Sequence, residues 1–419
     1  MLRTRLAVTI SLCFLSFACG SASRPATSGT ESTNVSKFVP VRLGLPDANA
    51  AEPAIAASSD GRVFAVWVEH RENDADVFVR EFDSAGNANG DPVRVNPQPG
   101  QAKAWRGDPP TIKIGSDGTV YIGWTSTPKS SASGTDLYLS VSTDGGRSFM
   151  PPTKVNDDSA PGSHGMHSLA IGDGGGVYVA WLDERYLIDV PPEMKHNGEM
   201  SGTEPNAELY FAASDDKGRT FGANKKVASD VCPCCKTSIT PPGPDGRMYI
   251  GYRQVINNAF RHIAVTTSSD GGKTFSVPRI VHDDQWKINA CPVSGPSLST
   301  NQNALTVAWY SGGDAGQHGF YQATSLDGGN SFSDPVLVGD GDSGGTPVLL
   351  GDQLVFTDSG KLFLTSIGRN DGSQKWELGS GNVPTMALVQ DKLFIAFVRP
   401  EDAGNSVWLD VFDTKQNGL

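Results

Sequence analysis

The stretch Ser268–Phe275, which reads SSDGGKTF, recurs in this chain of 419 residues. Variants of it begin at Ser142 (STDGGRSF), Ser214 (SDDKGRTF) and Ser325 (SLDGGNSF), and all four fit the pattern Ser-x-Asp-x-Gly-x-x-Phe. In such a turn Asp hydrogen-bonds the backbone that follows, Gly supplies a positive φ, and Phe folds back under the turn as an apolar plug. Four copies of one hairpin turn predict a repeat array.

A second signature, an apolar five-residue run that ends in an aromatic residue, recurs between these turns. It ends at Trp67 (VFAVW), Trp124 (VYIGW), Trp181 (VYVAW), Tyr252 (MYIGY), Trp309 (LTVAW) and Phe397 (LFIAF). The interval before Phe397 leaves room for a shorter unit, residues 347–378, that lacks the turn motif. The repeats predict an all-β fold of four-stranded units. They number seven, or six if residues 347–378 are irregular.

The turn motif resembles the Asp-box, or BNR, repeat, and the chain after residue 37 resembles the sialidase-like β-propellers. The resemblance implies a single propeller domain over residues 38–419, although sialidases themselves have six blades. Phe38–Leu43 is similar to the strand that follows an Asp box elsewhere in the chain. We expect it to close the ring by pairing with the C-terminal strand, which would cover an exposed edge. Four aspartates are expected to form turns rather than act as acids: Asp144, Asp216, Asp270 and Asp327.

The first 37 residues are predicted to direct and tether the chain. Arg3 and Arg5 precede an apolar run too short to span a membrane, which is typical of a signal peptide over residues 1–18. Leu15–Cys19 resembles a bacterial lipoprotein cleavage box and predicts lipidation of Cys19, with ordinary signal cleavage nearby as the alternative. Residues 19–37 are rich in Ser, Thr, Gly and Ala, and we expect a flexible tether.

The formal net charge of −12 bears on location and partners. An acidic surface argues against nucleic acid and anionic membrane faces. From the predicted signal peptide and lipoprotein box we expect an exported protein, in the cell envelope or secreted, that contacts the membrane only through a lipid anchor, and we expect a monomer.

Propeller topology separates two faces of the molecule. The connection into the innermost strand and the loop after the second strand share one face, and the Asp boxes lie on the other. Ionisable residues predicted at the first face are candidate ligands for a glycan or another extracytoplasmic molecule. They are Arg71, Arg185, Arg253, Arg399, Glu52 and Asp108. The alternative for each is a loop residue that ties neighbouring blades together.

The resemblance also suggests catalytic residues. Sialidases bind a carboxylate with three arginines and use a Tyr assisted by a Glu, with an Asp as acid/base. The candidates here are Tyr252, Tyr310, Asp183 and Glu184, with Tyr186 as a further candidate nucleophile. The family's first arginine belongs to an Arg-Ile-Pro motif, and Ala51-Glu52-Pro53 stands in its place. Sialidase activity is therefore not expected, whereas hydrolysis of another glycoside stays open.

The cysteines suggest a different kind of site. Six occur, of which Cys13 belongs to the signal and Cys19 to the lipoprotein box. In an exported chain, Cys232, Cys234, Cys235 and Cys291 predict disulfides, and Cys291 is expected near the other three.

With His164 and His167, the same cysteines would suit copper or zinc, or a redox-linked site. The adjacency of Cys234 and Cys235 counts against a shared metal because neighbours in a strand point to opposite sides. Three functions follow: glycan recognition with hydrolysis open, a Cys/His metal- or redox-linked site, and a protein-interaction scaffold. The surrounding sequence also resembles uncharacterised secreted proteins usually labelled sialidase-like.

Overall fold

The computed structural model describes residues 39–72, 74–104, 108–127, 134–159, 161–189, 205–288, 292–302, 304–341, 344–367, 375–402 and 404–415, with the backbone of 33–34. This part of the chain is built of β-strands and contains no α-helix, and one short 3-10 helix spans Arg185–Asp189. No helix in it is long and apolar enough to cross a membrane. The predicted all-β fold is confirmed. The predicted signal peptide and Cys19 lie outside the described residues.

The strands are short and follow one another closely. In chain order they are β1 (Thr33–Asn34), β2 (Val41–Arg42), β3 (Asn49–Ala57), β4 (Val63–His70), β5 (Ala75–Phe82), β6 (Ala88–Arg94), β7 (Thr111–Ile114), β8 (Val120–Ser126), β9 (Asp136–Ser142), β10 (Thr153–Lys154), β11 (His164–Ile171), β12 (Val177–Asp183), β13 (Ala207–Ser214), β14 (Lys225–Val231), β15 (Ser238–Ile239), β16 (Met248–Ile256), β17 (Phe260–Ser268), β18 (Arg279–Ile280), β19 (Ser297–Asn301), β20 (Ala304–Ser311), β21 (Gly319–Ser325), β22 (Val336–Asp340), β23 (Val348–Leu350), β24 (Gln353–Asp358), β25 (Lys361–Ser366), β26 (Lys375–Ser380), β27 (Asn382–Val389), β28 (Lys392–Glu401) and β29 (Gly404–Asp413).

These strands pair antiparallel in consecutive groups of four. Sheet 1 contains β3–β6, sheet 2 β7–β10, sheet 3 β11–β14, sheet 4 β15–β18, sheet 5 β19–β22, sheet 6 β23–β26, and sheet 7 β27–β29 with β2. A single pair, Val231 opposite Gln254, links sheets 3 and 4, and β1 adds to β26 in parallel. Four-stranded antiparallel sheets in this succession are consistent with a propeller.

The second strand of a sheet is largely apolar because neighbouring sheets cover both of its faces. Every residue of β8 is buried, for example, although the strand contains Thr125 and Ser126. Four indoles at matching places in the second strands are fully buried and donate hydrogen bonds to Glu69, Ser140, Asp183 and Asp284: those of Trp67, Trp124, Trp181 and Trp309. Each also faces an aromatic ring on the third strand, with centroids 5.4–6.1 Å apart.

The buried apolar side chains lie between consecutive sheets rather than in one central core. The cluster between sheets 7 and 1 includes Leu43, Trp67, Phe394 and Val407. The innermost strands contact one another in chain order, from β3 through β7, β11, β15, β19 and β23 to β27, and β27 contacts β3.

An N-terminal strand forms the outer edge of sheet 7. Val41 lies opposite Leu409 on β29, and the Leu43 N–H donates to the Val407 carbonyl at 2.9 Å. Arg42 forms an ion pair with Glu401 at 3.0 Å. Phe38, which the sequence places at the start of this strand, lies outside the described residues.

Candidate functional site

The four Asp-box turns lie at one end of the sheets, and the carboxylate of each accepts hydrogen bonds from residues of the same turn. Asp270 Oδ1 accepts from Ser268 Oγ at 2.8 Å and from the Thr274 N–H at 2.9 Å, and Oδ2 accepts from Thr274 Oγ1 at 2.6 Å. The Gly272 N–H in turn donates to Ser268 Oγ. The same bonds recur around Asp144, Asp216 and Asp327.

These bonds have an electrostatic signature. Hydrogen bonds from the Ser or Thr four residues on lower the pKa of the Asp144, Asp216 and Asp327 carboxyls to about 2. The box phenylalanine packs against the cluster below, and the rings of Phe275 and Phe211 meet edge to face at 5.0 Å. These turns are exposed, are fully hydrogen-bonded and form part of the scaffold.

The opposite end of the sheets carries the predicted ligand residues. On β16, Met248 lies opposite Ser268 at the Asp-box end, while Arg253 lies toward the other end, next to the Cys232 backbone. Here the inner strands of sheets 1, 3 and 7 begin with a β-bulge. The backbone takes a positive φ at Glu52, Met166 and Val383, and also at Val293 ahead of β19. A β-branched residue with positive φ is strained, and such strain concentrates at functional sites.

Arg253 is committed to backbone carbonyls. Its guanidinium is fully buried and donates to the carbonyls of Ser294 (2.9 Å), Arg261 (3.2 Å) and Tyr310 (3.0 Å). It also lies 4.7 Å from the centroid of the Trp286 ring. Arg253 therefore ties sheet 4 to sheet 5, and each of its three nitrogens donates to a backbone carbonyl.

Arg185 is held by carboxylates. It donates to Asp183 at 2.8 and 2.9 Å and to Asp157 at 2.9 Å, and its guanidinium lies 4.3 Å from the centroid of the Tyr210 ring. The ion pairs and the contact with the Tyr210 ring hold the Arg185 guanidinium against sheet 3.

The remaining two arginines are engaged in separate sheets. Arg71 pairs with Asp76 in sheet 1 and remains half-exposed. Arg399 lies over the rings of Phe397 and Trp408 in sheet 7 and donates to the Ser380 carbonyl. Each of the four arginines thus has its own local partners.

The catalytic candidates lie in different surroundings. The Tyr252 hydroxyl is buried without a hydrogen-bond partner, and burial raises its pKa above the ordinary value. Tyr310 packs edge to face against Trp286 and Phe320. Asp183 accepts hydrogen bonds from the Trp181 indole and from Arg185. Glu184, the next residue in the chain, is half-buried. Tyr186 keeps 45% of its surface exposed, and partial burial together with the charge of Glu208 raises the pKa of its hydroxyl to about 12.

Two buried acids stand where inner strands begin. Glu52 contacts Nε2 of His70. Asp108 Oδ1 lies 3.5 Å from Nδ1 of His167 and 3.4 Å from Nζ of Lys236. Burial raises the pKa of Asp108, but the charges of Lys236 and His167 outweigh it and lower the pKa to about 2.

The two histidines do not join the cysteine sulfurs. His164 Nδ1 donates to the Thr135 carbonyl at 2.6 Å, and its Nε2 lies 3.0 Å from Asp158. His167 is buried beside Asp108, and burial together with the charge of Lys236 lowers its pKa. The group of potential metal ligands found among the described residues consists of sulfurs alone.

Three sulfurs meet where the chain enters sheet 4. Cys232 Sγ lies 3.2 Å from Cys235 Sγ and 3.8 Å from Cys234 Sγ. Cys232 and Cys235 are free thiols with no exposed surface, whereas Cys234 is 4% exposed and disulfide-bonded. The partner of Cys234 lies outside the described residues, as does Cys291, so its predicted place near the cluster stays a prediction.

Residues 232–237, which we call the cysteine corner, are held by backbone contacts with three sheets. The Cys232 N–H donates to the Arg253 carbonyl at 2.9 Å, and the Thr237 N–H donates to the Met166 carbonyl at 3.0 Å. A Cβ on Gly295 would lie 1.9 Å from the Lys236 carbonyl oxygen, so only glycine permits this approach. Val293, with its strained φ, packs against the same cluster.

Two guanidinium groups act on the thiols. Burial raises the pKa of Cys235, but the hydrogen bond from Cys232, the Arg253 charge, the Ser294 N–H and the Arg261 charge lower it to about 7. The bond to Cys235 and burial raise the pKa of Cys232 well above its ordinary value. Nε and Nη1 of Arg261 are buried without hydrogen-bond partners. The corner therefore favours one thiolate, on Cys235, that accepts a hydrogen bond from the Cys232 thiol.

Two residues of this site were not singled out from the sequence. Lys236 directly follows the CPCC motif, so its position was a usable signal. Arg261 lies on β17 opposite Val255, far from the motif in sequence, and no local pattern marks it.

Comparisons with known proteins support the fold. No family model and no curated protein matches the sequence. The polysaccharide lyase Uly1 is similar in structure, with a TM-score of 0.53 and 11% identity over 94% of this chain and 94% of that chain. A protein of unknown function from Dyadobacter fermentans DSM 18053 is also similar, with a TM-score of 0.51 and 13% identity over 90% of this chain and 98% of that chain. The microbial sialidase Hz136 is less similar, with a TM-score of 0.47 and 16% identity over 79% of this chain and 66% of that chain. At such identities the likeness shows the fold alone, and it agrees with the propeller-like succession of four-stranded sheets.

Proposed function

We propose that this protein is a β-propeller with a redox-linked thiol site at the cysteine corner. The observation that carries the proposal is the buried pair of thiols, Cys232 and Cys235, 3.2 Å apart beside two guanidinium groups. Cationic surroundings and Cys-x-x-Cys spacing are the features that make a thiol pair reactive in thiol–disulfide exchange. Burial limits the reaction to small molecules or to other sulfurs of the same chain.

A resident metal ion is the weaker interpretation of the same cluster. Copper and zinc are held by thiolates and imidazoles, and all three sulfurs lie within 4.8 Å of one another. However, a disulfide-bonded Cys234 offers no thiolate, and His164 and His167 contact carboxylates instead. The three cysteines would fit a soft ion only after reduction.

The test is a redox titration of the purified full-length chain. Protein is equilibrated in glutathione buffers of graded potential, quenched with acid, alkylated and mapped by peptide mass spectrometry. We expect a Cys232–Cys235 bond that forms and breaks reversibly as a two-electron couple. Thiols that stay reduced in every buffer, or co-purifying copper or zinc that blocks alkylation, would contradict the proposal.

Arg261 provides a matched pair of variants for the same site. Replacement of Arg261 by Gln removes a charge that lowers the pKa of Cys235, so the midpoint of Cys235 alkylation against pH should rise above about 7. Arg261→Lys keeps the charge and should stay near the parent. Equal midpoints for the two variants would show that the charge does not act on Cys235.

Recognition of an acidic polysaccharide is the second candidate. The fold likeness to a polysaccharide lyase favours it, as does Lys236, whose side chain keeps 16% of its surface exposed beside Asp108. Binding of acidic and neutral polysaccharides should be measured by affinity electrophoresis, together with release of reducing ends. Loss of acidic-sugar binding in Lys236→Met, but not in Lys273→Met at an Asp box, would support it. The protein-scaffold alternative stays a prediction.

The ring itself is also part of the proposal: seven blades, closed by β2. The contact between β27 and β3 and the pairing of β2 with β29 support it. Deletion of residues 39–43 should unfold the protein or cause aggregation at the exposed edge of β29, while deletion of residues 20–32 should be harmless. Equal heat resistance of the two truncations would refute closure by this strand.

Export with lipidation at Cys19 completes the proposal. A disulfide at Cys234 supports an oxidising compartment. Metabolic labelling with a radioactive fatty acid should mark the parent and not Cys19→Ser. Equal labelling of the two would contradict lipidation at this residue.

A further inference from the structure

Two buried hydrogen-bond donors near the thiol pair of the cysteine corner have no acceptor. Cys232 Sγ and Cys235 Sγ lie 3.2 Å apart, and neither side chain has exposed surface. Nε and Nη1 of Arg261 are buried without a hydrogen-bond partner in the described part of the chain. Buried polar atoms are nearly always paired, so an exception in a native protein calls for a function. These donors suit a small ligand that accepts hydrogen bonds and reacts with sulfur.

The surroundings of the two sulfurs distinguish Cys235 as the nucleophile. Cys235 accepts hydrogen bonds from the Cys232 thiol and from the Ser294 N–H. The positive charges of Arg253 and Arg261 also act on it. All of these interactions stabilise negative charge on Cys235, and the thiolate is the nucleophilic form of cysteine.

The main chain of Arg261 is held on both sides. Its N–H donates to the Trp286 carbonyl at 2.9 Å, and its carbonyl accepts from Nη1 of Arg253 at 3.2 Å. Nε and Nη2 of Arg253 donate to two further backbone carbonyls. Of the two guanidinium groups that act on Cys235, Arg261 is therefore the one whose buried N–H groups can donate to a ligand.

Burial of both thiols limits the size of that ligand. Hydrogen peroxide is close to water in size, so a small local opening of the fold admits it. Peptide-sized disulfides such as oxidised glutathione require larger openings and react slowly. Peroxide oxygens also accept hydrogen bonds, as the donors of Arg261 require.

We propose that the cysteine corner reduces hydrogen peroxide, with Cys235 as the attacking sulfur and Cys232 as the sulfur that completes the reaction. The proposal rests on the redox-linked thiol site above and names the oxidant that this site meets. Arg261 donates hydrogen bonds to the oxygen that leaves, where negative charge develops.

The first step forms a sulfenic acid. The Cys235 thiolate attacks one oxygen of hydrogen peroxide, so that a sulfur–oxygen bond forms and the oxygen–oxygen bond breaks. The other oxygen leaves as hydroxide, takes the proton of the Cys232 thiol and becomes water. Cys235 is then a sulfenic acid, and Cys232 is a thiolate.

The second step forms the disulfide. The Cys232 thiolate attacks Cys235 Sγ, the sulfur–oxygen bond breaks, and hydroxide leaves and takes a proton from solvent. Two electrons have passed from the two sulfurs to the peroxide, which ends as two waters. Two equivalents of a low-molecular-weight thiol then reduce the pair and become a disulfide themselves.

The first measurement is a single turnover of the full-length protein. Protein prepared anaerobically with a chelator is mixed with hydrogen peroxide, and the losses of peroxide and of thiols are followed. We expect one peroxide consumed for every two thiols lost, and a Cys232–Cys235 bond in the peptide map. The rate constant should exceed that of free cysteine at the same pH by about 100-fold. A rate constant no higher than that of free cysteine would overturn the proposal.

Arg261→Lys tests the contact with the leaving oxygen. The variant keeps a positive charge near Cys235 but loses the planar N–H groups. The rate constant with peroxide should therefore fall by about tenfold or more, while that for alkylation by iodoacetamide stays near the parent. Arg279→Gln, which removes an exposed arginine of β18 in the same sheet, should leave both constants unchanged. An unchanged peroxide constant in Arg261→Lys, or equal falls of both constants, would refute Arg261 as the donor.

Two further variants assign the sulfurs. Cys232→Ser should stop at the sulfenic acid on Cys235, which a cyclic 1,3-diketone traps after a denaturing quench. Cys235→Ser should lose the fast reaction with peroxide. A trapped sulfenic acid on Cys232 in Cys235→Ser, formed at the parent rate, would refute Cys235 as the attacking sulfur. If Arg261→Lys does not fold, the trap in Cys232→Ser decides the question.

The outcomes separate this proposal from the redox function. If glutathione buffers oxidise the pair reversibly but peroxide reacts no faster than with free cysteine, peroxide reduction is refuted and the redox-linked site stands. If neither reaction occurs, both are refuted. Fast peroxide consumption that ends in the Cys232–Cys235 bond supports both.

Discussion

The Asp-box corners and the cysteine corner are built on opposite principles. Each Asp box closes its hydrogen bonds within eight residues, at the exposed end of a hairpin, and the chain repeats it four times. The cysteine corner occurs once, is buried, and is held by residues distant in sequence, such as Asp108, Met166 and Gly295. A change in an Asp box should therefore stay local, whereas a change in the cysteine corner should affect several sheets together.

The largest expected effect is at Cys234. Cys234→Ser removes the disulfide and should lower the free energy of unfolding by about 2–4 kcal/mol. Cys232→Ser, which leaves that bond intact, is the control. Urea denaturation of both variants, monitored by tryptophan fluorescence, measures the difference. Equal losses would mean that the bond adds nothing to the packing of the corner.

Gly272 and Gly271 test how far an Asp box reaches into the core. Both have positive φ, but a Cβ on Gly272 would lie 2.2 Å from the Phe211 ring, whereas a Cβ on Gly271 would meet nothing within 4 Å. Gly272→Ala should therefore cost roughly 2–3 kcal/mol through strain and overpacking, and Gly271→Ala about 1 kcal/mol through strain alone. The same denaturation experiment checks this, and similar costs would contradict the packing argument.

Asp270 tests whether an Asp box affects the other end of its sheet. Asp270→Ala should lower the free energy of unfolding through the lost turn bonds. Alkylation of Cys235 in the surviving folded protein should be unchanged, because the turn and the cysteine corner lie at opposite ends of sheet 4. A change in Cys235 reactivity at unaltered stability would show that the two ends are coupled.

Acid titration should show the smallest effect. The folded-state pKa of Asp144, Asp216 and Asp327, about 2, lies below the ordinary value of 3.8. Each turn therefore contributes stability that is fully present above pH 4 and is lost as the pH falls from about 4 to about 2. Melting temperatures measured across this range should fall, and less steeply in Asp270→Asn. A flat profile would contradict the prediction.

The sequence predicts local features well. The all-β fold could be read from the recurring runs that end in Trp67, Trp124 and Trp181, because two-sided burial requires continuous apolar strands. Turn chemistry, too, depends on a few adjacent residues and repeats with the sequence.

What the sequence could not supply was the direction and partners of single side chains. Arg253 follows an apolar run, as a ligand-binding arginine would, yet it turns inward to three carbonyls in sheets 4 and 5. Arg261 lies in a strand with no motif and acts on Cys235 only through the folded sheet. Such contacts depend on the packing of residues that are distant in the chain. Neither arginine lies in a repeated motif, so the sequence alone does not reveal its partners.

The pairing of β2 with β29 has a consequence for how the chain folds. Val41 and Leu409 are neighbours in space but stand near opposite ends of the sequence, so this contact has nearly the highest sequence separation the chain allows. Closing so long a loop costs entropy that grows with the logarithm of its length. In the proposed ring, local hairpins should therefore form first, and an open arc of sheets with one unpaired edge should precede closure. Residues 39–43 are then expected to dock last, and until they dock, the edge of β29 is available to a second chain.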